Sequence, residues 1–171
     1  MISGISLLAL LAGIFSSQWI SKTGLASDPS IKAFFANSWQ TPDGKTANSE
    51  NWREKVLVVN FWASWCPPCV EEMPTLDKIA QEYSAKNVLI VGIGIDSAAK
   101  IRDFAANYKI SYPLLVSGPE VLDVARHLGN SAGGLPYTVV LARDGAVSGR
   151  HLGALQQGQI DSLLARATAE A

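Results

Sequence analysis

A chain of 171 residues with 48% hydrophobic side chains is long enough for one domain with its own core plus a terminal extension. A formal charge of −1 and the lack of any basic block exclude a phosphate-backbone binder, so no nucleic acid partner is expected. The two cysteines, Cys66 and Cys69, exclude a framework of structural disulfides, and any cross-link within the chain has to join these two.

Residues 2–20 carry no charged side chain, and residues 5–15 are nearly continuous in apolar and small residues before Ser16, Ser17 and Gln18 interrupt them. Residues 1–21 therefore read as an apolar N-terminal segment. It is either a cleavable signal, whose apolar core runs to about 7–15 residues, or an uncleaved anchor, which needs about 20. No Lys or Arg precedes the run and Lys22 follows it, so charge orients the segment weakly. Gly24 and Ala26 are small enough for cleavage after Ala26; an anchor would stay in or through the membrane, and a third reading packs the segment as a helix of the domain. Residues 22–30 are polar, small and turn-prone and read as a linker, so the folded domain is expected over 31–171.

Residues 34–40 and 45–47 flank Thr41-Pro42-Asp43-Gly44, which has the chemistry of a tight turn, and an N-terminal β-hairpin is expected there. The stretch from residue 56 to Cys69 opens as an almost wholly apolar run rich in β-branched and aromatic side chains and stops at the two cysteines, which predicts a buried strand feeding a helix that starts there. Val70, Met73, Leu76, Ile79, Ala80 and Tyr83 carry that helix to about residue 85, with a kink expected at Pro74. Residues 88–95 predict a second strand, 98–108 a helix, 112–116 a strand, 119–128 a short helix and 137–141 a strand. The turn at Arg143-Asp144-Gly145-Ala146 then returns the chain through residues 147–151. An amphipathic helix over 156–167, with Ile160, Leu163 and Leu164 on one face, closes the chain. The sum is an α/β fold, a mixed central sheet with helices on both faces.

Cys66 is placed at the mouth of a helix, where unpaired N–H groups and the positive end of the macrodipole favour a thiolate. Cys69, one turn further in, is more shielded. The pair suits dithiol–disulfide exchange: the Cys66 thiolate attacks a partner disulfide, and Cys69 then attacks Cys66 to release the partner. Half a zinc site is the rival reading, but His127 and His151, the only histidines, have no knuckle spacing with the cysteines. No metal and no cofactor are expected, and both histidines read as solvated or capping. Pro67 and Pro68 fix φ and delete two N–H donors, and the loop holds no histidine cation. The expected potential lies toward the reducing end of a range from about −270 to about −120 mV. Trp65 abuts Cys66 and reads as an exposed apolar rim, whereas Trp62 fits rim or core.

Phe61-Trp62-Ala63-Ser64-Trp65-Cys66-Pro67-Pro68-Cys69, with Gly134-Leu135-Pro136 and Asp144-Gly145 later, resembles the thioredoxin superfamily. The Trp-Cys-Pro-Pro-Cys motif followed by Glu71-Glu72-Met73-Pro74 is similar to the membrane-anchored TlpA-type thiol-disulfide oxidoreductases that face the bacterial periplasm or cell exterior. The resemblance covers residues 34–167 and implies a thioredoxin fold. It also implies a cis Leu135–Pro136 bond against the cysteines, with the backbone of Leu135 pairing to an extended substrate and Trp65, Pro67 and Pro136 completing the substrate site. Glu72 is implied in proton transfer at Cys69, while Glu71 reads as solvated. Asn60 occupies the place where soluble thioredoxins carry a buried aspartate, and Tyr137 departs from the threonine common after this proline.

By the same resemblance the protein sits at the cytoplasmic membrane with its domain outside, or is a secreted periplasmic protein if cleaved. It would be a monomer that reduces specific protein disulfides, with apocytochrome c or a copper-site assembly protein among the substrates, and a membrane thiol-reductant donor would recharge it. The alternatives are a disulfide oxidase or isomerase, and a non-catalytic module that holds extended peptides at Pro136.

Overall fold

The computed structural model describes residues 28–169; the expected anchor or signal over 1–21 and residues 22–27 of the linker lie outside them. Helix α1 (Pro29–Ala36) leads into strands β1 (Ser38–Gln40) and β2 (Thr46–Asn48), a 3₁₀ turn (Ser49–Trp52), strand β3 (Val56–Trp62) and helix α2 (Pro67–Tyr83). Then follow β4 (Val88–Ile95), α3 (Ala98–Tyr108), β5 (Leu114–Ser117), α4 (Val121–His127), β6 (Tyr137–Leu141), β7 (Val147–Leu152) and α5 (Gln157–Ala169). The strands form one mixed sheet in the order β2-β1-β5-β4-β3-β6-β7.

β3 lies inside this sheet, parallel to β4 from Val56↔Val88 to Trp62↔Gly94 and antiparallel to β6 from Leu57↔Leu141 to Phe61↔Tyr137. All seven of its residues are buried, which is why its sequence is almost wholly apolar instead of alternating. Right-handed crossovers from β3 to β4 and from β4 to β5 put α2 and α3 on one face. On that face the side chains of Asn60 and Trp62, two residues apart on β3, meet α2 through Glu72 and α3 through Phe104. α4 lies on the other face, where Phe61 packs against Tyr137 and the Tyr137 hydroxyl donates to Leu128 O (3.0 Å) just past the end of α4. α1 packs against α4. Trp62 is fully buried, so of its two readings the core one holds.

The hairpin is shorter than expected, because residues 34–36 are helical. Asp28 caps α1 by accepting from Ser30 N–H (2.8 Å), Pro29 takes the first turn, and Ile31, Phe34 and Phe35 recur at helical spacing on its buried side. The helix takes in Pro29 and Ser30, whose composition suits a linker. Phe34 then packs against Trp39 and Trp52, with ring centroids 5.5 and 6.2 Å away. The turn itself forms as expected, with Gly44 at φ +81° and its N–H donating to Thr41 O (2.9 Å). α2 runs through Pro74 to Tyr83, and Pro74 lies on its exposed face, where water can serve the carbonyl that loses its donor.

Gly92 stands opposite Asn60 in the β3–β4 register and makes room for two rings. A Cβ there would lie 2.7 Å from Leu114 Cδ2 and 3.2 Å from both Trp62 Nε1 and Tyr112 Cε2. Gly92→Ala is therefore expected to destabilise the domain by about 1–3 kcal/mol, as overpacking does, and urea unfolding should show a lowered midpoint. Among the described residues no helix is long and apolar enough to cross a membrane.

Candidate dithiol site

The chain leaves β3 at the centre of the sheet and turns at once into α2, which places Cys66 at the N-cap of the helix. Pro67 and Pro68 are its first two residues, so the first N–H available within the helix is that of Cys69, and Val70 N–H donates to Cys66 O (3.1 Å). Cys66 and Cys69 are joined in a disulfide with Cα atoms 5.3 Å apart. Cys66 keeps 6% of its surface exposed and Cys69 none, so only the outer sulfur can be approached.

The loop that carries Trp65 and Cys66 is tied to the end of β4. The Ser64 hydroxyl donates to Asp96 Oδ2, Ser97 N–H donates to Asp96 Oδ1 (2.9 Å), and Lys100 Nζ lies 3.3 Å from the same oxygen. Burial pushes the Asp96 carboxyl up, but these three donors outweigh it and hold the group below its ordinary range. Sequence reading missed this tie, since Ser64 and Asp96 are 32 positions apart and Asp96 lies outside the motif that holds Ser64.

Trp65 is 65% exposed and forms one wall of a groove of about 500 Å³ that opens beside Cys66. Pro67, Ile95, Leu122 and Leu135 complete most of its lining, which includes no charged side chain. The Leu135–Pro136 bond is cis, and Pro136 is buried while Leu135 remains half-buried in the groove. The loop before it is held by Asn130, whose Nδ2 donates to Gly134 O (2.9 Å), and turns at Gly133 with φ +65°. Gly153 N–H donates to Pro136 O (2.9 Å) from beyond β7. Trp65, Cys66, Pro67 and Leu135 thus meet in one groove, while Cys69 and Glu72 lie beneath it on successive turns of α2.

Glu72 is 2% exposed. Its Oε1 accepts from Asn60 Nδ2 (2.7 Å) and its Oε2 from Leu155 N–H (2.7 Å). Burial pushes its carboxyl up, and although the Leu155 and Asn60 donors pull it back, it settles at about 7. A carboxyl poised there can both take and return a proton near neutrality. Asn60 also donates to Thr138 Oγ1 (3.0 Å). Sequence reading reached Glu72 through the family resemblance but missed that Asn60, itself bonded to Thr138, and Leu155 surround it; these come from three separate parts of the sheet and its edge. Glu71 is exposed. His127 is exposed at the end of α4 and His151 is half-buried on β7, and neither lines the groove. Among the described residues no cluster of three or more His, Cys, Asp or Glu is placed to hold a metal.

A reversible disulfide at a helix N-cap, one sulfur accessible, beside a cis-proline loop and an apolar groove, is suited to exchange with a protein disulfide. Comparisons with known proteins agree. The profile of the Redoxin family matches residues 28–166. The thioredoxin-like protein YneN of Bacillus subtilis is 28% identical over 131 residues, 74% of each chain. The thiol-disulfide oxidoreductase ResA of Bacillus cereus is 26% identical over 128 residues, 74% of this chain and 71% of that one. A thiol:disulfide interchange protein from Chlorobium tepidum superposes with a TM-score of 0.69 at 27% identity, covering 77% of this chain and 92% of that one. The chain belongs to the Redoxin family, in its thioredoxin-like, TlpA-type branch, and is a protein thiol-disulfide oxidoreductase.

Proposed function

We propose that this protein works as a reductant of specific protein disulfides at the outer face of the cytoplasmic membrane, held there by residues 1–21. The observation that carries the reading is Glu72, a buried carboxyl poised at about 7 one helical turn beyond the resolving cysteine. In the reduced protein the Cys66 thiolate attacks one sulfur of the substrate disulfide. That S–S bond breaks, a mixed disulfide forms, and the first substrate sulfur leaves as a thiolate that picks up a proton. The Cys69 thiol then passes its proton to the Glu72 carboxylate, and its thiolate attacks the Cys66 sulfur. The second substrate thiolate departs, the Cys66–Cys69 disulfide closes, and two electrons have moved to the substrate. A membrane thiol-reductant donor returns the pair to the dithiol.

Trp65, Pro67, Leu135 and Pro136 bind the substrate in this reading, with an extended segment lying along Leu135 and an apolar side chain next to its cysteine filling the uncharged groove. Apocytochrome c or a copper-site assembly protein, the substrates that the TlpA-type resemblance implies, would be presented in that way. Two prolines in place of loop donors, and the absence of a loop histidine, favour the reducing direction. Equilibration with glutathione buffers is expected to put the midpoint nearer about −270 than about −120 mV, and a midpoint at the oxidising end would make the protein a disulfide donor instead. Cys69→Ser should accumulate mixed disulfides through Cys66, whose attached proteins name the substrates.

A further inference from the structure

We infer that the side-chain amide of Asn60 is a two-position switch, presenting its NH₂ to Glu72 when that group is a carboxylate and its C=O when it is a carboxylic acid. The inference rests on the reading of Glu72 as the proton acceptor for Cys69 and adds how one buried site holds both states of that acceptor. Every group seen at Glu72 is a donor: Asn60 Nδ2 faces Oε1 and Leu155 N–H faces Oε2, each at 2.7 Å. That arrangement satisfies a carboxylate. A proton arriving on Oε1 would point at the NH₂ of Asn60, donor against donor, in a site with 2% exposure where water does not replace the lost partner.

The remedy lies in the same side chain. Asn60 is fully buried, and its Oδ1 has no hydrogen-bond partner, while Nδ2 makes both bonds, to Glu72 and to Thr138 Oγ1 (3.0 Å). Half a turn about the terminal torsion exchanges the two atoms. Oδ1 then accepts from the protonated Oε1 and from the Thr138 hydroxyl, which can donate as readily as it accepts. One amide atom is left unpartnered in either position, Oδ1 with the carboxylate and Nδ2 with the acid. The amide therefore does not strongly favour one state, and the proton on Glu72 decides. An aspartate at position 60 could only accept, and an apolar residue could do neither; an amide offers both kinds of partner from one position.

The other titratable neighbours do not supply this function. Cys69 stands one turn earlier on α2. Tyr112, from the segment before β5, has its phenol pushed up by burial first and then by the negative charge of Glu72 and Asp77. No cation contributes at Glu72. β3 brings Asn60 to it, β6 brings Thr138 to Asn60, and the segment before α5 brings the Leu155 N–H.

The test follows the side-chain resonances of the oxidised protein from pH 5 to pH 9. The ¹³Cδ signal of Glu72 and the ¹⁵Nδ2 and NH₂ proton signals of Asn60 are expected to titrate with one shared midpoint. The NH₂ protons should pass from hydrogen-bonded shifts at high pH to free ones at low pH. Asn60 signals that stay fixed while Glu72 titrates would overturn the inference. In Glu72→Gln the amide should rest in one position throughout, with Oδ1 accepting from the new NH₂, and a titrating Asn60 there would also count against it. Asn60→Asp puts a like charge against Glu72, and the midpoint of Glu72 is expected to rise by at least one pH unit, a tenfold change in proton affinity. An unmoved midpoint would contradict the contact on which the switch depends. Should that variant fail to fold, the wild-type titration still decides. The role of Glu72 in turnover is read separately, from the rate of mixed-disulfide release in Glu72→Gln, so the two readings fail independently.

Discussion

In Glu72→Gln the stability of the oxidised protein should stop falling between pH 4.5 and pH 8. The wild-type carboxyl titrates at about 7 in the folded chain against an ordinary value of 4.5, because it is buried. The folded state thus keeps a proton that the unfolded state has already lost. Unfolded chains bind fewer protons across that window, so stability decreases as pH rises from 4.5 and levels off above 7. At about 1.4 kcal/mol per unit the loss is about 3 kcal/mol, a large share of a typical domain's 5–15. The neutral amide of the variant has no such slope. Exposed carboxyls held low, such as Asp43 beside Lys45 and Thr41, act in the opposite sense and only at more acid pH. Urea midpoints at pH 5 and pH 8 check the result: a wide gap in wild type and a narrow one in the variant. An equal gap in both would mean that Glu72 ionises as an ordinary carboxyl. The same substitution removes the acceptor for the Cys69 proton, and release of a mixed disulfide at pH 7 should slow about 100-fold, the lower end of what a general base contributes.

What the sequence could and could not disclose follows from how local each determinant is. β4 (Val88–Ile95) and α3 (Ala98–Tyr108) fall where expected, since an unbroken apolar run and the Ser97 cap are both local signals. α1 was legible too, in Asp28-Pro29 followed by Ile31, Phe34 and Phe35, but two aromatic residues just before a turn also suit a strand, and the capping chemistry decides between them. Trp62 and Trp65 differ in burial because β3 ends between them: Trp62 is still in the sheet, while Trp65 has entered the turn. The surroundings of Glu72 are of another kind. Asn60 stands 12 positions away, and Leu155 83. Nothing near Glu72 in the chain states that its two oxygens meet only donors. The family resemblance points to the carboxyl, but tertiary packing sets its proton affinity.

Trp65→Ala should separate substrate recognition from thiol chemistry. The side chain is 65% exposed and stands beyond the end of β3, so its removal leaves no core cavity, and stability should change by no more than about 0.5 kcal/mol. Against a partner protein the same ring becomes a buried aromatic wall of the groove, the kind of residue whose truncation costs about 2 kcal/mol of binding, close to 30-fold. The value of kcat/KM for a protein disulfide is therefore expected to fall about 30-fold, chiefly through KM. Reduction of a small disulfide such as hydroxyethyl disulfide should be nearly unchanged, since that molecule reaches the Cys66 sulfur without filling the groove. A matching loss on both substrates would place Trp65 in the chemistry of the thiolate instead of in recognition. No loss on either would move the substrate contact to Leu135 and the other side of the groove. The contrast between the two substrates carries the result, because Cys66, Cys69 and Glu72 are untouched and any difference has to come from how the partner is held.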